Sequence, residues 1–151
     1  MPLPPADPAL HPVYALAGEH GVPVMIHTGD TYSATGKVKY AHPLHVDELA
    51  VDFPRVKFLI CHLGNPWFRD CMEVVYKNSN VYTDISAVHY RPWRYWQAMV
   101  TAMEYGVDHK ILLASDFPSG TITNVINGLR NVNAPVEGSG MPKIPKEIQD
   151  A

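Results

Sequence analysis

Short apolar, β-rich runs recur along this chain, and stretches with helical periodicity fill the gaps between them. The clearest runs are Val22–Ile26, Val56–Cys61 and Ile111–Ala114, and Val81–Ile85 (VYTDI) is a weaker, more polar fourth. Val22–Ile26 and Ile111–Ala114 are continuous rather than alternating, the pattern of strands covered on both faces of a parallel sheet. Each gap is long enough for a crossover helix, which parallel neighbours require. This alternation leaves few options: an α/β chain with parallel strands, built as a repeated β/α unit.

The gaps carry the helices. Phe68, Cys71, Met72 and Val75 recur at the spacing that lines one helix face with apolar side chains. Trp96, Met99, Val100 and Met103 do the same, with Pro92 near the expected start and Gly106 where a C-terminal cap belongs. Ile122, Val125, Ile126 and Leu129 repeat the pattern behind Thr121, a residue type suited to an N-cap. Asp47–Asp52 reads as a short helix stopped by Pro54, and an opening helix over Pro8–His20 ends at Gly21. The stretch 131–145, rich in Asn, Gly and Pro, reads as loop, and Lys146 opens the first turn of a further helix. With no break in composition, residues 1–151 read as one domain.

In a parallel β/α sheet, reactive side chains collect at the C-terminal ends of strands and in the loops that follow. The first run closes as IHTGD, with His27 at its tip, the second as ICHLGNPW, with His62, and the last as LLASDFPSG, with Asp116. Asp84 and Ser86 end the weaker run, and His89 lies just beyond. Imidazole and carboxylate at one sheet mouth are ligand types for a catalytic Zn²⁺ or Mn²⁺. Such an ion lowers the pKa of bound water, and a second histidine can move a proton. The competing reading is that these are ordinary polar loop residues, and the spacing leaves both open.

Other groups are assigned blander roles. Cys61 and His62, as strand neighbours, point to opposite faces and form no dyad, so Cys61 reads as an inert buried thiol. His42 and His45 (AHPLH) have an H-x-x-H spacing, yet Pro43 disfavours helical register there, which makes them a loop pair rather than a metal site. Trp93, Tyr95 and Trp96 fit a packed helix face, and Trp67 suits either a pocket wall or loop packing. GSG at 138–140 lacks the Lys-Ser/Thr helix start of a phosphate loop.

Composition excludes several classes. A net charge of -3 is the wrong electrostatic footprint for a nucleic-acid binder. No apolar run approaches the roughly 20 residues of a membrane-spanning helix. The opening MPLPPADPALHP has neither the basic nor the apolar region of a secretory signal, and 2 cysteines make no CxxC pair. A cytoplasmic setting, with no membrane partner, is the expectation.

The segments GVPVMIHTG, HPLHVDELAVDFPRVKFLICHLGNPW, VYTDIS and ILLASDFP resemble the amidohydrolase-related family of metal-dependent hydrolases and decarboxylases. The resemblance implies a (β/α)₈ TIM barrel, of which this chain corresponds to the C-terminal half, about strands 5–8, as one partial, truncated domain. It implies His27 and Asp116 as ligands to a divalent metal, Zn²⁺ first and Mn²⁺ second. His62 becomes the catalytic histidine that polarises substrate or shuttles a proton, with Asp116 sharing the catalytic role.

Family members hydrolyse C–N or C–O bonds with metal-activated water, or decarboxylate a small-molecule substrate. They also carry an H-x-H or E-x-H ligand pair on the first barrel strand, and this chain has no H-x-H before His27. Two expectations follow. In one, a complementing N-terminal half completes an enzyme. In the other, the chain is a non-catalytic half-barrel that self-associates as a homo-oligomer. A nucleotide binder on a doubly wound sheet has little support, because no Gly-rich fingerprint follows a strand.

Overall fold

The structure, a computed structural model, describes residues 3–150. After a 3-10 turn capped by Asp7, α1 runs from His11 to His20 and stops at Gly21, whose φ of 64° is left-handed backbone that glycine adopts without a Cβ penalty. The β/α units follow in order: β1 (Val24–Ile26), α2 (Leu44–Asp52), β2 (Phe58–Ile60), α3 (Phe68–Lys77), β3 (Val81–Asp84), α4 (Pro92–Tyr105), β4 (Ile111–Leu112) and α5 (Ile122–Arg130). A last short helix, α6, spans Lys146–Gln149.

Helix boundaries have local causes. Pro92 sits in the first turn of α4, where its missing N–H goes unmissed, and Gly106 closes the helix by donating to Ala102 and Met103 carbonyls. The Thr121 hydroxyl accepts from the Asn124 N–H and starts α5. Helix α2 begins earlier than its periodicity suggests. Pro43 is its N-cap residue rather than a barrier, so His45 lies inside the helix instead of in a loop. Trp93 also departs from expectation: it is 49% exposed and stacks on buried Trp96 with ring centroids 5.2 Å apart.

The four strands form one parallel sheet in chain order, β1-β2-β3-β4. An unreversed order with right-handed crossovers sends every helix to the same side. A doubly wound sheet would reverse its order at a switch point, so the nucleotide-binding reading fails here. Register aligns Val24, Phe58 and Val81 in one row, and Ile26, Ile60, Thr83 and Ile111 in another. These rows form the helix-facing side, where Phe58, Ile60, Val81 and Thr83 are essentially inaccessible. They pack with Val46 and Leu49 of α2, Cys71, Met72 and Val75 of α3, and Tyr95, Trp96 and Met99 of α4. Each Val, Leu, Ile, Phe or Met side chain among them contributes about 1.5–3 kcal/mol by leaving water.

The opposite face carries Met25, Leu59, Tyr82 and Leu112. Met25 is 65% exposed and Leu112 46%, so these strands are covered on one face only. The expectation of cover on both faces is corrected here: the residues are apolar on both sides, but the helices reach one. The strands are also shorter than the apolar runs. Pro23 has no N–H to give a ladder, and at Cys61 the chain leaves the sheet for a left-handed turn.

Lys110, buried just before β4, donates to the Val75 and Asn78 carbonyls at 2.5 and 2.6 Å. It thereby satisfies carbonyls that the end of α3 leaves without intrahelical partners. Burial pushes its pKa below the usual lysine value. Among the described residues, no helix is long and apolar enough to cross a membrane.

Candidate active site

His27, His62 and Asp116 follow β1, β2 and β4 and line one cavity of about 320 Å³ at the C-terminal ends of the strands. His27 and His62 meet edge to face, with ring centroids 5.2 Å apart. His27 and Asp116 are exposed, and His62 is half-buried. The His27 Nε2 lies 3.1 Å from the Asp30 carbonyl oxygen, to which it can only donate.

The backbone at this end is strained. His62 (φ 62°), Leu63 (φ 52°), Ala87 (φ 54°) and Asp116 (φ 59°) all take left-handed conformations without being glycine. Each costs about 1–3 kcal/mol, and such residues cluster where a side chain must be aimed. His62 therefore stands on a left-handed turn and not on the strand. Strand alternation does not govern its relation to Cys61, although the two still form no dyad. Burial, reinforced by the negative charges of Asp84 and Asp116, pushes the Cys61 thiol up to about 12.

The end of β3 supports His62 from behind. Buried Asp84 accepts, through Oδ1, from the His62 N–H at 3.1 Å, the Ser86 N–H at 2.9 Å and the Ser86 hydroxyl. The Ser86 Oγ lies 2.7 Å from His62 Nδ1, and the Ser86 carbonyl oxygen 3.3 Å from it. The VYTDIS segment placed these residues at a strand end, but nothing local announces that they reach His62.

Across the cavity, Asp30 holds Arg91 at 3.0 Å and accepts from buried Asn65 at 2.9 Å. The Arg91 guanidinium lies 4.8 Å from the Tyr90 ring centre and donates to the Tyr32 hydroxyl at 3.4 Å. Hydrogen bonds from Tyr90 and Arg91 hold the Tyr32 hydroxyl below its usual pKa. Asp30, Tyr32, Asn65, Tyr90 and Arg91 all line the cavity, and sequence reasoning missed them because their meeting is long-range.

The remaining histidines stand apart. His89 packs on Gly120 and Gly128, and its Nδ1 is buried without a partner among the described residues. Burial lowers its pKa. His42 pairs with Asp70 at 3.3 Å and packs on Trp67, whereas His45 approaches the Lys39 carbonyl. The H-x-x-H spacing therefore builds no joint site, and Trp67 lies outside the His27–His62 cavity.

The donor types of His27 and Asp116 suit a divalent ion, but their number does not. Among the described residues no three His, Cys, Asp or Glu groups come together as a metal cluster. A catalytic zinc normally takes three protein ligands, so these residues alone do not make a complete site.

The amidohydrolase family model matches residues 1–121. The chain belongs to the amidohydrolase family. No curated protein matches it significantly. Among solved structures, an uncharacterised TIM-barrel protein from Bordetella bronchiseptica shares 23% identity at a TM-score of 0.67, over 82% of this chain and 43% of that one. A protein described as a metal-dependent hydrolase, from Lactobacillus casei, shares 19% identity at 0.68, over 94% and 39%. A dihydroxybenzoic acid decarboxylase from Polaromonas, with bound manganese and 2-nitroresorcinol, shares 15% at 0.63, over 99% and 52%. The sheet and its helices are thus part of a TIM-barrel fold, and this amidohydrolase chain spans between two fifths and about half of those structures' lengths.

Proposed function

We propose that this chain supplies His27, His62 and Asp116 to the active site of a metal-dependent hydrolase or decarboxylase acting on a small molecule. The observation that carries the reading is their convergence, from three separate β/α loops, on one cavity. His27 and Asp116 are the ligands to a divalent ion, completed by donors beyond the described residues, as from an N-terminal half of the barrel. Zn²⁺ suits the donors, and the manganese in the Polaromonas decarboxylase favours Mn²⁺ equally. Bound there, the ion supplies Lewis-acid polarisation of a substrate oxygen. His62 holds or moves a proton beside it, and Asp116 shares the catalytic role. The setting is cytoplasmic, with neither nucleic acid nor membrane as a partner.

The test is calorimetric titration of the chain with Zn²⁺ or Mn²⁺, against a His27→Ala/Asp116→Ala double variant. Weak but saturable binding of one ion per chain, lost in the double variant, is expected, since two of the usual three ligands are present. Binding unchanged in that variant would overturn the ligand assignment.

A second reading rests on the uncovered sheet face, where Met25 and Leu112 are exposed on β1 and β4, the two edge strands of the sheet among the described residues. In it the chain is non-catalytic and self-associates through that face. Sedimentation of the chain, with and without Met25→Lys, decides: an oligomer dissociated by the charge supports it, and a monomer removes it.

A further inference from the structure

The hydrogen bonds behind His62 have only one consistent set of directions. Asp84 Oδ1 accepts from two backbone N–H groups, those of His62 and Ser86, so it is an acceptor towards the Ser86 hydroxyl as well. A serine hydroxyl has a single hydrogen, and here Asp84 takes it. Ser86 Oγ therefore faces His62 Nδ1, at 2.7 Å, with lone pairs only. The Ser86 carbonyl oxygen, 3.3 Å from the same nitrogen, can likewise only accept. Both partners of Nδ1 are acceptors, so Nδ1 must carry the hydrogen.

We infer that Asp84 and Ser86 are positioning residues that lock the His62 imidazole as its Nδ1–H tautomer, with Nε2 left as a bare lone pair for the cavity. The ring nitrogens of histidine are distinct, and the partner of one decides the chemistry of the other. A free histidine side chain in water prefers the opposite tautomer, with hydrogen on Nε2. The Asp84–Ser86 pair reverses that preference and makes the cavity-side nitrogen a proton acceptor. Nε2 has no hydrogen-bond partner of its own among the described residues, so nothing opposes the arrangement.

The geometry also separates this role from plain turn-making. The bond from the Ser86 N–H to Asp84 Oδ1 closes a local turn that any residue but proline at position 86 could make. The link through the hydroxyl, which donates to Asp84 and accepts from the His62 Nδ1–H on another strand's loop, needs a hydroxyl side chain at position 86. Replacing the hydroxyl removes the second link and leaves the first, together with the longer 3.3 Å contact from Nδ1 to the residue-86 carbonyl, so the Nδ1–H preference weakens rather than vanishes. The inference deepens the proposed role of His62 but does not depend on a metal, and it holds for a chain that binds none.

The experiment is nitrogen-15 correlation spectroscopy of the ¹⁵N-histidine-labelled chain at a pH where imidazoles are neutral, with His62 assigned by the signal missing from His62→Gln. A pyrrole-type Nδ1 and a pyridine-type Nε2 are expected in the wild type. Ser86→Ala should turn this into a mixture containing the Nε2–H form, while circular dichroism stays unchanged. A wild-type His62 that is mixed, or protonated on Nε2, overturns the inference. So does a Ser86→Ala spectrum identical to wild type, which would leave Ser86 without the positioning role. If Ser86→Ala fails to fold, the wild-type spectrum still decides the tautomer. Loss of the cation binding tested above would leave this result untouched, so the two readings fail separately.

Discussion

Gly29 and Asn65 touch backbone to backbone: a Cβ built on Gly29 would sit 2.1 Å from the Asn65 carbonyl oxygen. Gly29 also has a φ of 95°, outside the range L side chains readily adopt. The contact fastens the loop after β1, which carries His27, to the loop after β2, which carries His62. Asn65 adds its hydrogen bond to Asp30 at 2.9 Å. The histidine pair is thus set by two loops held against each other rather than by either strand alone.

Gly29→Ala should therefore cost both backbone strain and a steric clash, at least about 2 kcal/mol together. Gly140→Ala, where an added Cβ meets nothing within 4 Å, should stay within about 0.5 kcal/mol of wild type. Urea unfolding of the two variants checks this. Equal stabilities would show that the loops are not joined at Gly29.

The thiols give a pH prediction. Burial pushes both Cys61 and Cys71 up to about 12 in the fold, against 9.0 for an unperturbed thiol. Between those values the folded chain keeps protons that the unfolded chain has lost, so their contribution is full below about 9 and fades as pH rises towards 12. The urea midpoint should decline over that window, and Cys61→Ala with Cys71→Ala should flatten the decline. Because the thiolate is the nucleophile, iodoacetamide should label neither cysteine in the folded chain at about pH 8. Rapid labelling without unfolding would contradict the burial of both.

Tyr95 is 1% exposed, and its hydroxyl has no hydrogen-bond partner among the described residues. Burial pushes its pKa above the usual tyrosine value. An unsatisfied buried hydroxyl costs more than the atom returns, so Tyr95→Phe should raise stability by about 1 kcal/mol. A thermal melt showing a clear loss instead would mean that the hydroxyl has a partner.

Much of the fold is legible in local chemistry. Pro92 and Gly106 bracket α4 because one residue lacks an N–H and the other lacks a Cβ, and both facts are written in the residue type. His27, His62 and Asp116 are legible for a related reason: in parallel β/α units the ends of apolar runs become the mouth of the sheet. What hides is whatever depends on distant partners. The left-handed backbone at His62 and Asp116 follows from the loops around them, since His and Asp tolerate that conformation better than most residues but do not require it. The Asp84–Ser86 support of His62 spans two β/α units, and the Asp30–Arg91–Tyr32 rim joins loops after β1 and β3. The exposed row through Met25 and Leu112 hides for a different reason, because apolar residues read alike whether or not anything covers them.

We propose that His27 and Asp116 bind one cation, with His62 lining the same cavity, so that three loops contribute to a single locus. Adding Mn²⁺ in small steps to the ¹⁵N-labelled chain tests it most directly, because a paramagnetic ion broadens the signals nearest to it first. Residues 27–30, 62–65 and 115–119 should lose intensity together, while His20 and His109 remain sharp. Broadening that begins at His20 or His109, or that touches only one of the three loops, would contradict it.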